Sequence, residues 1–368
     1  MYGLPSPRGI MVKLSHKPKE SPYMENYTVL AIDLAKLVFQ IVKTTGFGKL
    51  IYNKKVSREK LKELLRKEPK ALVVMEACGG SHYWCRYAQS LGHEVKALPA
   101  RRVKAFRQGQ KTDANDALAI ATAARQPNMK PARILTTEEQ GLQGIEKMRQ
   151  LLVAHKTAMS NQLRGLLNEF GVVIAKSDAA LRSAIPEVLE DGENNVPMSF
   201  RESIAQMWAL LQTIEAELAQ LTRQQTALTM QDEQSRSLLE LEGVGPIGAL
   251  GLKLAIGNGS HFKNGRDAAA CLGLTPVQHS SGGKQKIGSI SQMSGHKRLR
   301  SVLIQGAISV LSYLDKREAR TAKEIWLKAL MQRRGKRIAA VALANKTIRT
   351  AWAMLSRGES YNASLQTA

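Results

Sequence analysis

The sequence predicts an α/β domain followed by helical domains, and three observations carry that expectation. Short β-branched runs alternate with helical segments in the first third of the chain. Two stretches of coiled-coil-like apolar spacing follow, and the last part is helical pattern broken by glycine turns. With 368 residues there is material for two or three domains. The expected boundaries are a basic arm at 1–25, an α/β domain at 26–135, a helical spacer at 136–235 and a mostly helical domain at 236–368.

Residues 1–25 are rich in Pro, Ser and Lys without apolar periodicity, which predicts a disordered basic arm. From Tyr27 the β-branched runs at 27–33, 37–43 and 47–53 are joined by connections too short for helices, so they predict a three-stranded antiparallel meander. A helix at 57–67, a buried strand at 71–76, a helix at 81–91 and a strand at 93–98 follow. The stretch Lys111-Thr-Asp-Ala-Asn-Asp116 then opens a further helix, and the order becomes β-β-β-α-β-α-β-α.

Asp113 and Asp116 are three residues apart, so on a helix their carboxylates project from one face. Like charges at that spacing repel, and the pair closes a basic run at 101–111. One reading makes Asp113 an N-cap and Asp116 an ordinary first-turn acid. The other gives both acids a cation, and it draws on two more carboxylates that end buried strands: Asp33 after Thr28-Val-Leu-Ala-Ile32, and Glu76 after Ala71-Leu-Val-Val-Met75.

That strand and helix order, with acids at those places, resembles the ribonuclease-H-like fold, in which the first and fourth strands are neighbours. The resemblance implies that Asp33 and Glu76 project side by side and that the late helix brings its acids against them. Hard carboxylate oxygens at that density suit Mg²⁺ or Mn²⁺. A pair of such ions activates an attacking oxygen and stabilises a leaving one.

Residues 138–170 carry apolar positions at helical spacing, and 200–230 repeat Ile204, Met207, Leu211, Ile214, Leu218 and Leu221 at threes and fours. Two readings stay open, a spacer between protomers and an antiparallel hairpin within one chain. The charged run at 176–199 between them reads as a Pro-interrupted insert. Gly243-Val-Gly245 between helical segments matches a helix-hairpin-helix, whose glycines allow a tight turn and leave amides at a helix start facing a phosphate. Near the C-terminus a Ser/Gly loop carries Ser280, Ser281, Lys284 and Lys286, and leads into a helix that begins near Lys297 with Arg298 and Arg300. A Ser beside Gly in a basic loop is also what a phosphate-contacting turn looks like, and His279 is the base nearby.

The formal charge is +23. From Val277 onward there are 17 Lys and Arg against 4 Asp and Glu, so polyanion binding is expected to concentrate there. Nucleic acid is the expected partner, and a membrane is not, since no run reaches the roughly 18 apolar residues of a spanning helix. Three cysteines, Cys78, Cys85 and Cys271, form no CxxC pair, and the N-terminus has no contiguous apolar stretch of the signal-peptide kind. Cytoplasmic, nucleoid-associated residence follows as the expectation.

Taken in order, Asp33, Glu76, Lys111-Thr-Asp-Ala-Asn-Asp116, the helical spacer, Gly243-Val-Gly-Pro246 and Leu274-Thr-Pro-Val-Gln-His-Ser-Ser-Gly-Gly-Lys284 resemble the DEDD transposases of bacterial insertion sequences, relatives of the Piv-type DNA invertases. The resemblance implies a RuvC-like domain with Asp33, Glu76, Asp113 and Asp116 as catalytic metal ligands, a coiled coil, and a C-terminal domain with a nucleophilic serine that corresponds to Ser281. It also implies a noncoding guide RNA, donor and target double-stranded DNA, and a homo-oligomer, dimer or tetramer. Nucleic-acid contacts are expected from Lys111, Gly243, Gly245, Lys284, Lys286, Lys297, Arg298 and Arg300. Two function classes follow, a recombinase that forms a phosphoserine and a nuclease that hydrolyses DNA with metal-activated water while Ser281 only binds phosphate.

Overall fold

The computed structural model describes residues 28–290 and 296–362. The expected basic arm at 1–25 and the run 291–295 lie outside the described residues. The chain divides between Thr136 and Thr137 into two units.

In the first unit the strands are β1 (Val29–Asp33), β2 (Val38–Thr44), β3 (Leu50–Ser57), β4 (Leu72–Glu76) and β5 (Glu94–Leu98), joined in the order β3-β2-β1-β4-β5. β1 pairs antiparallel with β2 and β2 with β3, while β4 runs parallel to both β1 and β5. The third strand sits later than the expected 47–53, because a tight turn with Gly48 at φ 96° occupies those positions and pairing with Val38 extends the strand to Ser57. Helix α1 (Arg58–Lys67) is capped by the Ser57 hydroxyl, and α2 (Ser81–Ser90) follows β4.

Side chains alternate across a strand, and the two faces of the sheet are both apolar. Leu30, Ile32, Phe39, Ile41, Val73 and Met75 pack against α1 and α2 around Trp84, whose ring meets Phe39 edge-on at 5.1 Å. Val29, Ala31, Val42, Leu72 and Val74 pack on the other face against α4 (Asp113–Ala123). The buried residues of α4 are four alanines and Ile120, which let its backbone lie close on the sheet. Between β5 and α4 run the short α3 (Ala100–Val103) and a 3₁₀ turn at Lys104–Phe106.

The second unit begins with α5 (Thr137–Asn168) and contains α7 (Met198–Gln231), which pair as an antiparallel hairpin within the chain. Arg149 donates to Thr222 at 3.2 Å, Gln225 to Glu146 at 2.7 Å, and Lys156 meets Glu215 at 2.9 Å. Where an insert was expected at 176–199, α6 (Asp178–Glu190) forms, with the Ser177 hydroxyl as its cap and Pro186 inside it. Leu181, Ile185 and Val188 of α6 close the far end of the hairpin over Leu163, Leu167 and Ile204. Arg201, buried, donates to the carbonyls of Val188, Leu189, Asp191 and Val196, which holds the following turn.

Beyond the hairpin, after the short α8 (Glu233–Ser237), α9 (Pro246–Ile256), α10 (Gly265–Cys271), α11 (Lys297–Leu314), α12 (Ala322–Arg334) and α13 (Lys336–Arg357) surround one apolar core. The expected Ser/Gly loop is a two-stranded ribbon, β6 (Pro276–Ser281) and β7 (Lys284–Ile290). Gly282 and Gly283 hold φ 54° and 77°, the positive pair that a type I′ hairpin turn requires.

Gly243 stands at φ 76°, and a Cβ there would meet the Gly306 carbonyl oxygen of α11 at 2.7 Å. A Cβ on Gly306 would meet the Gly243 carbonyl oxygen at 1.9 Å, so the turn and α11 touch backbone to backbone. Gly306→Ala is expected to destabilise the second unit by about 1–3 kcal/mol through overpacking, read as a lower thermal midpoint. An unchanged midpoint contradicts that contact.

Candidate active site and nucleic-acid surface

Register decides where the acids point. Val29, Ala31 and Asp33 alternate with Leu30 and Ile32 along β1, and Val29 pairs with Leu72 and Ala31 with Val74 of β4. Because Val29, Ala31, Leu72 and Val74 lie under α4, Asp33 and Glu76 emerge on that same face, at the carboxyl ends of two adjacent parallel strands. Asp116 faces them from α4, and the three acids line one pocket of about 310 Å³ with Arg101, Lys104, Arg107 and Lys111.

Asp113 is placed differently. The helix is capped by Thr112, whose hydroxyl accepts from the Asn115 N–H at 3.3 Å, so Asp113 is the first helical residue and not the N-cap. Its side chain is 65% exposed and pairs with Lys55 of β3 at 3.2 Å, outside the pocket lining. Asp116, 23% exposed, pairs with Arg107 at 3.3 Å. The two helix acids therefore leave the helix toward different cations. Among the described residues no group of three or more His, Cys, Asp or Glu stands as a ready metal cage.

Burial pushes the Asp33 carboxyl up to about 6, and Asp116, Glu76 and Asp113 add repulsion that Lys111 only partly offsets. Glu76 is also raised, by burial and then by Asp116, with Arg107 opposing. Burial and mutual repulsion thus raise Asp33 and Glu76 even beside the four cations of the lining, and hard carboxylate oxygens gathered in this way suit a divalent cation such as Mg²⁺ or Mn²⁺. Asp33, Glu76 and Asp116 are the residues that could hold one at the pocket, with Asp113 at its rim.

Behind the acids, Gln40 lies opposite Asp33 across the antiparallel pair. It is buried and donates to Asn53, which donates in turn to the Ala114 carbonyl at 3.3 Å and so ties β3 to the start of α4. The Gln40 Oε1 has no partner among the described residues. Gln40, Asn53, Arg101, Lys104 and Arg107 were not singled out from sequence; the basic run at 101–111 was the signal for the last three, and neither amide stands out in its strand. Cys78 also lies here, its thiol raised by burial and by Glu76 and Asp33.

In the second unit, the exposed ribbon pairs Ser281 with Lys284, Ser280 with Gln285 and His279 with Lys286. Facing pairs alternate between faces, so Ser281, His279, Lys284 and Lys286 share one face and Ser280 the other. The Ser280 hydroxyl accepts from Gln278 at 3.1 Å. Lys297 and Arg298 occupy the first turn of α11, which contains no acid, against the preference of a helix dipole for negative charge there. Arg300 corrects an expectation: it is 8% exposed and its guanidinium donates to the Gly273 carbonyl at 3.3 Å, so it braces the core instead of presenting charge. Gly245 is exposed at the start of α9, while Gly243 is held against Gly306. No helix is long and apolar enough to cross a membrane among the described residues.

Two family profiles match the chain. One, a DEDD-type IS110 transposase domain, covers residues 30–172, and the other, the IS116/IS110/IS902 transposase family, covers residues 235–324. A probable family 20 transposase of Pseudomonas aeruginosa is 39% identical over 91% of this chain and 99% of its own length. A putative transposase of Sinorhizobium fredii is 36% identical over 92% of this chain and 87% of its own length. The transposase for insertion sequence element IS1111A of Coxiella burnetii is 32% identical over 95% of both.

The raised Asp33 carboxyl sets the sign of a pH effect. In metal-free buffer the folded protein keeps a proton on Asp33 below about pH 6 that the unfolded chain has lost above its ordinary value of 3.8, so this group's contribution to stability is present at low pH and lost as pH rises through 6. Asp33→Asn, which has no charge to desolvate, is expected to raise the thermal midpoint at pH 7.5, with the gain shrinking toward pH 4. A lower midpoint at pH 7.5 contradicts the crowding of acids at this position.

Proposed function

The chain belongs to the IS116/IS110/IS902 family of transposases, and from that premise we propose that it is the recombinase of an insertion sequence, cutting and rejoining DNA through the acids Asp33, Glu76, Asp113 and Asp116 and through Ser281 as nucleophile. The observation that carries the reading is the emergence of Asp33 and Glu76 from adjacent parallel strands with Asp116 against them. The strand order β3-β2-β1-β4-β5, antiparallel then parallel, supports a ribonuclease-H-like, RuvC-like fold for the first unit.

A bound Mg²⁺ or Mn²⁺ supplies charge neutralisation at a scissile phosphate. Asp33, Glu76 and Asp116 would hold it, with Asp113 of the same helix as the fourth acid of the set. Lys111, Arg101 and Lys104, on the pocket wall, take the neighbouring phosphates. Ser281 Oγ forms the bond to phosphorus as a deoxyribose oxygen leaves, which keeps the phosphoester for rejoining. Its position beside Lys284 and Lys286, with His279 on the same face, favours it over Ser280, whose hydroxyl already accepts a hydrogen bond. Lys297 and Arg298 add backbone contacts at the start of α11, and Gly245 leaves the amides of α9 open to a phosphate.

Two partners complete the proposal. A structured noncoding RNA supplies sequence information, a reading that rests on the family resemblance and on a charge of +23, as suited to RNA as to DNA. A second copy of the chain covers the hairpin, where Met148, Leu151 and Leu210 are more than half exposed.

Cleavage assays on DNA carrying the element's ends, with and without the RNA, test the chemistry. Asp33→Asn and Asp116→Asn are each expected to lower strand cleavage by about 100-fold or more with DNA binding nearly intact. Ser281→Ala is expected to abolish both cleavage and the covalent protein–DNA adduct. Full cleavage by Ser281→Ala without an adduct assigns the protein to the water-activating nucleases instead.

A further inference from the structure

A second cavity, about 1030 Å³, lies in the C-terminal unit, lined by α10, the start of β6, α12 and α13 but by none of Ser281, Lys284, Lys286, Lys297 and Arg298. Its floor is α13, where Lys346, Arg349 and Arg357 recur on one side, and its walls include Arg266 of α10, Trp326 of α12 and Trp352 of α13. From Ile338 to Arg357 the lining follows about 28 Å of helix.

Two chemistries are interleaved along that length. Lys346 Nζ stands 5.3 Å from the Trp326 ring centroid, and the Arg357 guanidinium stands 5.5 Å from that of Trp352. Each half-buried indole thus has a cation beside its π surface, although Arg357 also pairs with Glu359 of the same lining at 3.3 Å. Trp352 is held in place, since its Nε1 donates to the Gly259 carbonyl at 3.1 Å, and a Cβ on Gly259 would meet Ser356 Cβ at 2.6 Å and crowd the indole at 3.1 Å. Arg266 and Arg349 are exposed and have no carboxylate within ion-pair distance among the described residues. Lys346 is lowered by burial and by its neighbours Lys323 and Arg349, with Glu242 opposing.

A duplex buries its base faces and offers only phosphates and edges, so it can use the charges of such a groove and not the indoles. An unpaired strand offers both phosphates and base faces. We propose that this groove binds a short unpaired stretch of nucleic acid, its phosphates on Arg266 and Arg349 and its bases stacked on Trp326 and Trp352. The stretch can belong to an opened DNA end or to an RNA loop, whose shared chemistry is the same.

The inference does not rest on the acidic site, and its test needs no cleavage. The full chain is titrated in EDTA with fluorescent oligo-dT and oligo-U strands of about ten nucleotides and with a duplex of matching length. Arg266→Glu with Arg349→Glu is expected to weaken both single strands by about tenfold or more and to reduce the salt dependence of binding, with a smaller effect on the duplex. Trp326→Leu is expected to weaken single strands and spare the duplex, and Trp326→Phe to restore them, while thermal midpoints show that the variants fold. A stronger effect on oligo-dT assigns the groove to DNA, and on oligo-U to RNA. Unchanged single-strand binding in the charge variant, or equal losses on strand and duplex, overturns the proposal.

Discussion

The parallel pairing of β1 with β4 is the constraint on which the candidate active site depends. Side chains alternate along a strand, so the register that buries Val29, Ala31, Leu72 and Val74 under α4 also sends Asp33 and Glu76 out on that face. A slip of one residue by either strand would turn its acid toward α1 and α2, place Ile32 or Met75 at the pocket and part the two carboxylates. The apolar packing that folds the first unit is therefore the same force that aims its chemistry. The alanine-rich face of α4 adds the third acid by bringing Asp116 close to the strand ends.

Charge is distributed with opposite logic in the two units. Acids are concentrated at one half-buried point inside a basic rim, where burial and repulsion together leave Asp33 difficult to ionise. In the C-terminal unit cations are spread over a ribbon, a helix start and a groove, with few acids between them. Lys297 and Arg298 at the start of α11 work against the helix dipole. A chain tolerates such placements when a polyanion neutralises them, and the surface reads as a binding surface for that reason.

Much of this was legible in the sequence, because apolar period and turn chemistry are local. The runs at Val29 and Leu72 announced buried strands, and Asp33 and Glu76 at their ends announced the acids. The cap of α4 was misread by one residue, since both Thr112 and Asp113 are good capping types and only backbone geometry chooses between them. The pair Gly282-Gly283 is a hairpin signal as much as a loop signal, and the polar strands around it hid the ribbon. Heptad spacing could not say whether α5 and α7 pair with each other or with a partner, because the same stripe serves both. Burial of Arg300 and assembly of the groove from Arg266, Trp326, Lys346 and Arg349 depend on tertiary packing between distant segments, to which composition is blind.

The acids at the ends of β1 and β4 are proposed to form one divalent-cation site. Calorimetric titration of the full chain with Mn²⁺, in the absence of nucleic acid, tests it most directly. Saturable binding is predicted for the native protein, weaker at pH 5.5 than at pH 7.5 because Asp33 holds a proton below about 6, and lost in both Asp33→Asn and Glu76→Gln. Equal Mn²⁺ binding by the native protein and these two variants would contradict the account.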